Sequence, residues 1–385
     1  MKRCKESESG RPLAAESGRP LVALYFYITG GCNLNCRHCW IDPEYTGETR
    51  ASAQLDSGLF KRIVDQALGL GLEGVKLTGG EPLLHDDMSL FLETIRLKKL
   101  DLTVETNGVL LTPQMSQQIA ACGSPDVSVS LDSADEATHE WMRRKRGCFR
   151  KTITGIDNLV KAGISPQIIV SVFRRNRHQL EDVVRLAEDL GASSVKFNVT
   201  QPVARGKSMH EAGETLDIEE LVELGKWMEG ELAESSSIRI ISHNPPAFRP
   251  MGRMWGLRGD GCSECGILNI LGVLHDGSYA LCGIGRTTPG LVFGNAAEDE
   301  LARVWNENPF LEELRCGLPD RLEGVCGRCL MKHLCLGSCI AQNYYLAESL
   351  WAPFWYCERA AAAGLFPATR RTPSGRNRPE TGRMT

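Results

Sequence analysis

Cys32, Cys36 and Cys39 stand at the spacing C-x3-C-x2-C, inside the stretch Gly30-Gly31-Cys32-Asn33-Leu34-Asn35-Cys36-Arg37-His38-Cys39-Trp40. Thiolates are the usual protein ligands of iron–sulfur clusters, and three of them are one short of filling a cubane, which leaves one iron open to another ligand. The same three cysteines with His38 also make the four donors of a tetrahedral zinc site. The triad alone leaves both chemistries open.

Such a loop has to be held by rigid elements. An apolar run over residues 21–28 precedes it and reads as a buried strand. From there to about residue 235, short apolar runs alternate with amphipathic segments, the signature of repeated βα units and a parallel sheet. Leu55, Leu59, Phe60, Ile63, Val64, Ala67 and Leu68 recur at helical spacing. Strands are expected at 74–78, 102–105, 127–131, 167–172 and 195–199. Helices are expected near 88–98, 113–121, 149–162, 179–190 and 218–234. Six βα units can curl into a partial (β/α)6 TIM-like barrel, whose chemistry sits at the carboxyl ends of the strands. Residues 238–241 are a candidate further strand.

Composition bounds the rest. A chain of 385 residues can hold two domains. Hydrophobic content of 42% and charged content of 24% are those of a globular protein. A formal charge of −4 offers no basic footprint for nucleic acid. No apolar run is long enough to span a bilayer, and no apolar signal core opens the chain. Fifteen cysteines without such a signal predict metal ligation in a reducing, cytoplasmic compartment rather than disulfides. Residues 1–20 repeat Glu-Ser-Gly-Arg-Pro-Leu, from Glu8 and from Glu16, and read as a disordered arm. Residues 361–385, basic and proline-bearing beyond Thr369, read as a disordered tail.

The triad, followed one βα unit later by Thr78-Gly79-Gly80-Glu81-Pro82, resembles the radical SAM enzymes. Paired glycines let backbone polar groups approach a ligand closely. The resemblance implies that the triad holds a [4Fe–4S] cluster and that S-adenosylmethionine binds the open iron through its amino and carboxylate groups. It implies cofactor contacts from Gly79, Gly80 and Glu81, from Ser130 in Ser130-Leu131-Asp132, and from Arg143, whose guanidinium suits a carboxylate. His38 takes the place where a flat ring lies against adenine; plain packing is its alternative. Thr106-Asn107-Gly108 faces the same rim.

After a Pro- and Gly-bearing bridging segment over 236–260, a second cysteine framework occupies 261–360. It reads Cys262-x2-Cys265, then Gly277 and Cys282, then Cys326-x2-Cys329-x5-Cys335-x3-Cys339, and finally Cys357. Two zinc knuckles would also suit the C-x2-C pairs. The spacing resembles the SPASM domain, which carries auxiliary iron–sulfur clusters. Carried over, Cys262, Cys265, Cys282 and Cys339 hold one auxiliary [4Fe–4S] cluster, and Cys326, Cys329, Cys335 and Cys357 hold the second. Cys4, Cys122, Cys148 and Cys316 are left over and read as packing residues, the default for an unpaired cysteine.

The resemblance implies reductive cleavage of S-adenosylmethionine to a 5′-deoxyadenosyl radical, fed by a flavodoxin- or ferredoxin-type electron donor. A ribosomally made peptide is the first substrate class, with thioether formation, carbon–carbon crosslinking or epimerisation as its chemistry. Formylglycine maturation and tetrapyrrole side-chain modification are the enzymatic alternatives, and a zinc or iron–sulfur scaffold is the non-enzymatic one. Gly283 follows Cys282 where formylglycine maturases carry a proton-accepting Asp, which weakens that alternative. No leader-binding domain is legible, so a precursor peptide would be read by the barrel rim, the SPASM surface or a separate partner protein.

Overall fold

A computed structural model of the chain describes residues 19–47, 52–256 and 265–372. The expected arm through residue 18, the tail from 373 and Cys262 lie outside the described residues. Two compact units emerge. One gathers the described residues of Met1–Leu216, Met228–His243 and Gly266–Cys316; the other gathers those of Asp217–Trp227, Asn244–Cys265 and Gly317–Thr385.

The first unit is built on a ten-stranded sheet. Its strands are β1 Ala23–Thr29, β2 Gly74–Gly79, β3 Asp101–Thr106, β4 Asp126–Ser130, β5 Gln167–Val172, β6 Ser194–Val199, β7 Arg239–Ser242, β8 Ile270–Val273, β9 Ser278–Ala280 and β10 Val292–Asn295. In space the order is β10-β9-β8-β1-β2-β3-β4-β5-β6-β7. From β8 to β7 every neighbour is parallel, with Ala23 opposite both Gly74 and Ile270. β9 and β10 add as antiparallel edge strands. The α/β class is as expected, but the sheet is wider than six strands. The extension comes from Ile-Leu-Gly-Val of β8, buried throughout. Its apolar signal is only four residues long and lies between Cys265 and Cys282, too short to mark a strand by periodicity.

Strand β1 is buried at five of its seven positions, as a parallel strand covered on both faces must be. Helix α1, Ser57–Leu68, starts at Asp56, whose side chain accepts from Leu59 N at 2.7 Å, an N-cap that satisfies one of the orphan donors of the first turn. It buries Phe60, Ile63, Val64 and Ala67, while Leu68 is exposed. Phe60 stacks on Phe91 at 4.2 Å and meets Phe26 of β1 at 4.6 Å. This aromatic column fixes β1 against α1 and α2, Met88–Lys98, so the loop leaving β1 starts from a rigid base.

α3, Pro113–Ala120, is followed by α4, Glu136–Arg143, a helix absent from the sequence reading. Its short amphipathic pattern sits beside the basic run 143–146, which reads as a loop. Helix α5 spans Cys148–Lys161 and presses on the turn after β3. A Cβ on its Gly155 would lie 2.1 Å from Gly108 O. Thr152 Oγ1 donates to Asn107 O at 2.9 Å. The helix expected over 218–234 is divided into Ile218–Trp227, a π-turn at Met228–Leu232 and Ala233–Ser235.

The second unit is made of short helices, Gly324–Gly327, Lys332–Cys335, Ile340–Ala347 and Trp355–Ala362. Its core is aromatic, with Phe248 edge-on to Tyr356 at 5.1 Å and to Phe366 at 5.5 Å.

Candidate active site

The cysteine loop leaves β1 and is tied down on three sides. Gly31–Cys32 pairs in parallel with Glu44–Tyr45. Glu81 N donates to Gly31 O at 3.0 Å and Gly80 N to Thr29 O at 3.1 Å. A Cβ on Gly80 would sit 1.9 Å from Gly31 O. The Gly-Gly pair is therefore needed here for backbone-to-backbone approach between the β2 turn and the cysteine loop, and Gly79 adds a φ of +131° that side chains avoid.

The second tie is the carboxyl end of α4. Asn35 N donates to Arg143 O at 3.3 Å and Arg37 N to Met142 O at 2.9 Å, using carbonyls that a helix end leaves without intrahelical partners. Arg37 Nε also donates to Trp141 O at 3.0 Å, and its guanidinium lies 4.4 Å over the Trp141 ring. The third tie is Arg205. Its Nη1 donates to Cys36 O at 3.1 Å and to Asn35 Oδ1, and its Nη2 to Pro43 O at 2.9 Å. Its Nε pairs with Asp42 Oδ1 at 2.5 Å. Nothing in the sequence near 205 signals this clamp, because its partners lie some 165 positions away.

Cys32 and Cys36 are buried, and with Leu34 and Cys148 they form one packed cluster against which Cys39 and Val109 lie. Donors face the sulfurs: Leu34 N to Cys32 Sγ at 3.4 Å, Arg143 Nη1 to Cys36 Sγ at 3.6 Å and Asn107 Nδ2 to Cys32 Sγ at 3.9 Å. Burial, then the neighbouring Cys36 and Glu81, push the Cys32 thiol well above its ordinary range. Burial also raises Cys36, against the pull of Arg143. Thiols gathered this way ionise once a cationic centre joins them. The donor set and its N–H···S partners fit an iron–sulfur cluster. Burial pushes the Cys148 thiol up to about 12.

Glu81 turns inward. Its carboxylate accepts from Thr106 Oγ1 at 2.6 Å, Asn107 N at 2.9 Å and Leu83 N at 3.1 Å. It thereby braces the ends of β2 and β3. Burial raises it to about 7, the three hydrogen bonds opposing. Asn107 Nδ2 in turn donates to Asn33 Oδ1 at 2.7 Å, tying β3 to the cysteine loop. Ser130 is the last residue of β4 and is half-buried.

Asp132, two residues on, is fully buried and central. Its Oδ2 lies 2.6 Å from Arg143 Nε and 3.6 Å from His38 Nε2. Its Oδ1 accepts from Ser171 N at 3.0 Å, and its N–H donates to His139 Nδ1 at 3.2 Å. Burial works against the carboxylate charge, but Arg143 outweighs it and holds Asp132 well below the usual range. The reverse pull, led by Asp132 and then Cys36, keeps Arg143 charged although it is buried. Burial and the Arg143 charge lower His139 to about 3, so it is a neutral acceptor. In the sequence alone Asp132 reads only as the end of a strand. Its signal was an acid directly after a buried strand, with two histidines and an arginine in reach.

In the second unit Cys326, Cys329, Cys335 and Cys357 line one pocket, with Leu322 and Met331. Met331 N donates to Cys329 Sγ at 3.3 Å and Phe354 N to Cys326 Sγ at 3.4 Å. The Cys357 thiol hydrogen-bonds Cys326 and lowers it, while Cys326 and burial push Cys357 well up. Cys339 caps the helix Ile340–Ala347, and Cys265 is exposed. In the first unit Cys282 follows β9. Cys316, read from the sequence as an unpaired packing residue, is disulfide-bonded.

The Radical SAM superfamily model matches residues 26–187, and that of SPASM, an iron–sulfur cluster-binding domain, matches 262–330. The AdoMet-dependent heme synthase of Methanosarcina barkeri is 30% identical over 331 residues, 82% of this chain and 90% of that protein. The chain belongs to the radical SAM superfamily. It is a radical SAM enzyme of the SPASM type, with S-adenosylmethionine and [4Fe–4S] clusters as its cofactors. A second relative, the mycofactocin maturase MftC of Mycobacterium ulcerans, is 25% identical over 92% of both chains. The crystal structure of Streptococcus suis SuiB bound to S-adenosylmethionine shares the fold, with a TM-score of 0.68 at 18% identity over 89% of this chain and 78% of SuiB. No described helix is long and apolar enough to cross a membrane.

Proposed function

We propose that this radical SAM enzyme modifies a ribosomally made peptide in the cytoplasm, by hydrogen-atom abstraction that leads to a thioether, a carbon–carbon crosslink or an epimer. The observation that carries the reading is the extent of likeness to a maturase: it spans 92% of both chains, barrel and cysteine framework together. SuiB has also been solved bound to its precursor peptide.

Cys32, Cys36 and Cys39 would hold the radical SAM cluster. When bound, the cluster and S-adenosylmethionine supply the 5′-deoxyadenosyl radical that abstracts the hydrogen atom. Arg143, fixed by Asp132, orients Cys36 and offers its guanidinium edge to a carboxylate. The peptide backbone at Gly79 and Gly80 offers polar groups unobstructed by side chains, Ser130 adds a hydroxyl at the same rim, and His38 a ring. Glu81 holds the β2 and β3 turns in place. A buried, closely packed rim excludes water from a reactive intermediate. Cys326, Cys329, Cys335 and Cys357 would hold an auxiliary cluster, supported by their common pocket and N–H···S bonds. The other auxiliary set, Cys262, Cys265, Cys282 and Cys339, rests on the cysteine pattern.

Formylglycine chemistry is disfavoured by geometry as well as by sequence. A Cβ on Gly283 would lie 2.1 Å from the Tyr27 ring, so no proton-accepting side chain fits after Cys282. Tetrapyrrole side-chain modification is the second reading, favoured by the 30% identity to a heme synthase. The test is mass spectrometry of two reactions run side by side with reduced enzyme and S-adenosylmethionine. One contains candidate precursor peptides, the other tetrapyrroles carrying acetate and propionate side chains. Loss of two hydrogens from a peptide, or solvent deuterium gained at one Cα, supports the proposal. Decarboxylation of the tetrapyrrole with peptides unchanged replaces it with the second reading.

A further inference from the structure

A cleft of about 380 Å³ opens beside the cysteine loop. Its apolar wall includes Leu34, Leu84, Val109 and Leu110, and its rim carries Lys145, Arg146 and Lys151. Two features fix what it can do. Leu34 and Cys148 line it and also pack directly on Cys32 and Cys36, so one layer of side chains separates the cleft from the triad sulfurs. Gly79, Gly80, Glu81, Ser130, Asp132 and Arg143 do not line it. A substrate must reach the cofactor's adenosyl carbon, whereas an electron crosses a layer of packed side chains. The cleft therefore adjoins the cluster loop on a face suited to electron entry and not to hydrogen abstraction.

The charge is local. The chain as a whole is acidic, at −4, yet Arg146 and Lys151 are exposed together at this rim. Arg150 beside them is occupied by Glu136 at 3.2 Å. A cationic rim around an apolar floor steers and seats a partner of opposite charge. We propose that this cleft is the docking site of an acidic one-electron carrier protein that reduces the triad cluster. The proposal rests on the radical SAM reading of the triad, and not on the identity of the substrate.

The test uses cleavage of S-adenosylmethionine to 5′-deoxyadenosine by the reconstituted full chain without substrate, driven either by dithionite or by reduced flavodoxin, an acidic flavin protein. For Arg146→Glu with Lys151→Glu, the expected flavodoxin-driven initial rate falls about tenfold or more at low ionic strength, while the dithionite-driven rate stays within about twofold. The wild-type flavodoxin-driven rate falls with added salt, as exposed charge pairs are screened. Arg146→Lys with Lys151→Arg keeps the charge and the rate, with iron content and absorption spectrum reporting intact assembly. Equal flavodoxin-driven rates in wild type and the reversed-charge variant would overturn the docking site. Equal losses with both reductants would also overturn it and assign the rim to assembly. No 5′-deoxyadenosine from wild type with either reductant would fail the radical SAM reading itself, a distinct result.

Discussion

Arg143 Nε stands 2.6 Å from Asp132 Oδ2, and the same guanidinium reaches Cys36 Sγ through Nη1 at 3.6 Å. A buried ion pair is thus joined to a thiol of the triad proposed to hold the cluster. Pairing in the interior offsets desolvation only while both partners are present. Asp132→Asn leaves the Arg143 charge buried and uncompensated, with an expected loss of about 3–5 kcal/mol and of iron from the triad. Asp132→Asn with Arg143→Met removes both charges, and stability should return toward wild type while S-adenosylmethionine cleavage does not. Denaturant midpoints of the four proteins, combined as a double-mutant cycle, check this; additive losses would contradict it.

Acid should destabilise the protein through the same cluster. His139 is lowered to about 3 from 6.5, so the unfolded chain binds the proton that the folded one refuses. Stability is then lost as pH falls from about 6.5 toward 3, at up to about 1.4 kcal/mol per pH unit. Asp132, held low, adds stability above its unfolded range that is lost only in stronger acid, as pH falls through its depressed folded value. His139→Gln keeps an acceptor for Asp132 N–H and should flatten the stability change between pH 7 and pH 5. An unchanged slope in anaerobic urea melts would contradict the assignment.

Gly80→Ala drives a methyl into Gly31 O, backbone against backbone. The cysteine loop has to move, and iron bound by the triad should fall sharply. Gly123→Ala is the control: φ is +97° but nothing lies within 4 Å, so only the left-handed backbone is strained, at a cost of about 1–2 kcal/mol. Iron analysis of both variants checks the contrast.

Arg205→Lys tests the clamp. A lysine cannot reproduce a fork that serves Asn35, Cys36, Asp42 and Pro43. Hydrogen bonds to a charged group contribute about 1.5–3 kcal/mol each, so the loop should loosen by roughly that amount. Cluster loss in air should accelerate in this variant relative to wild type, followed by absorbance.

The legible parts of this molecule were those written in local pattern. Strands such as Gln167–Val172 and the amphipathic face of Phe60, Ile63 and Val64 carry their own period. The cysteine spacing carried the cofactor chemistry. What escaped was non-local. Arg205 meets Cys36 only through the fold, and strand β8 joins β1 across more than two hundred residues. The close approach of the Gly80 backbone to the Gly31 carbonyl, which leaves no room for a Cβ, was likewise set by the fold. Asp132 shows the middle case: its position after a buried strand was visible, but its partners were fixed only when α4 turned Arg143 inward.

Everything proposed above requires that Cys32, Cys36 and Cys39 hold a redox-active cluster that cleaves S-adenosylmethionine. The direct measurement is iron, sulfide and zinc per chain, with 5′-deoxyadenosine formation, for anaerobically reconstituted wild type and Cys36→Ala. Wild type should hold roughly four irons for each cubane cluster, with Cys36→Ala losing about one cluster's share and all 5′-deoxyadenosine. Stoichiometric zinc in wild type, with no 5′-deoxyadenosine formed, would contradict it.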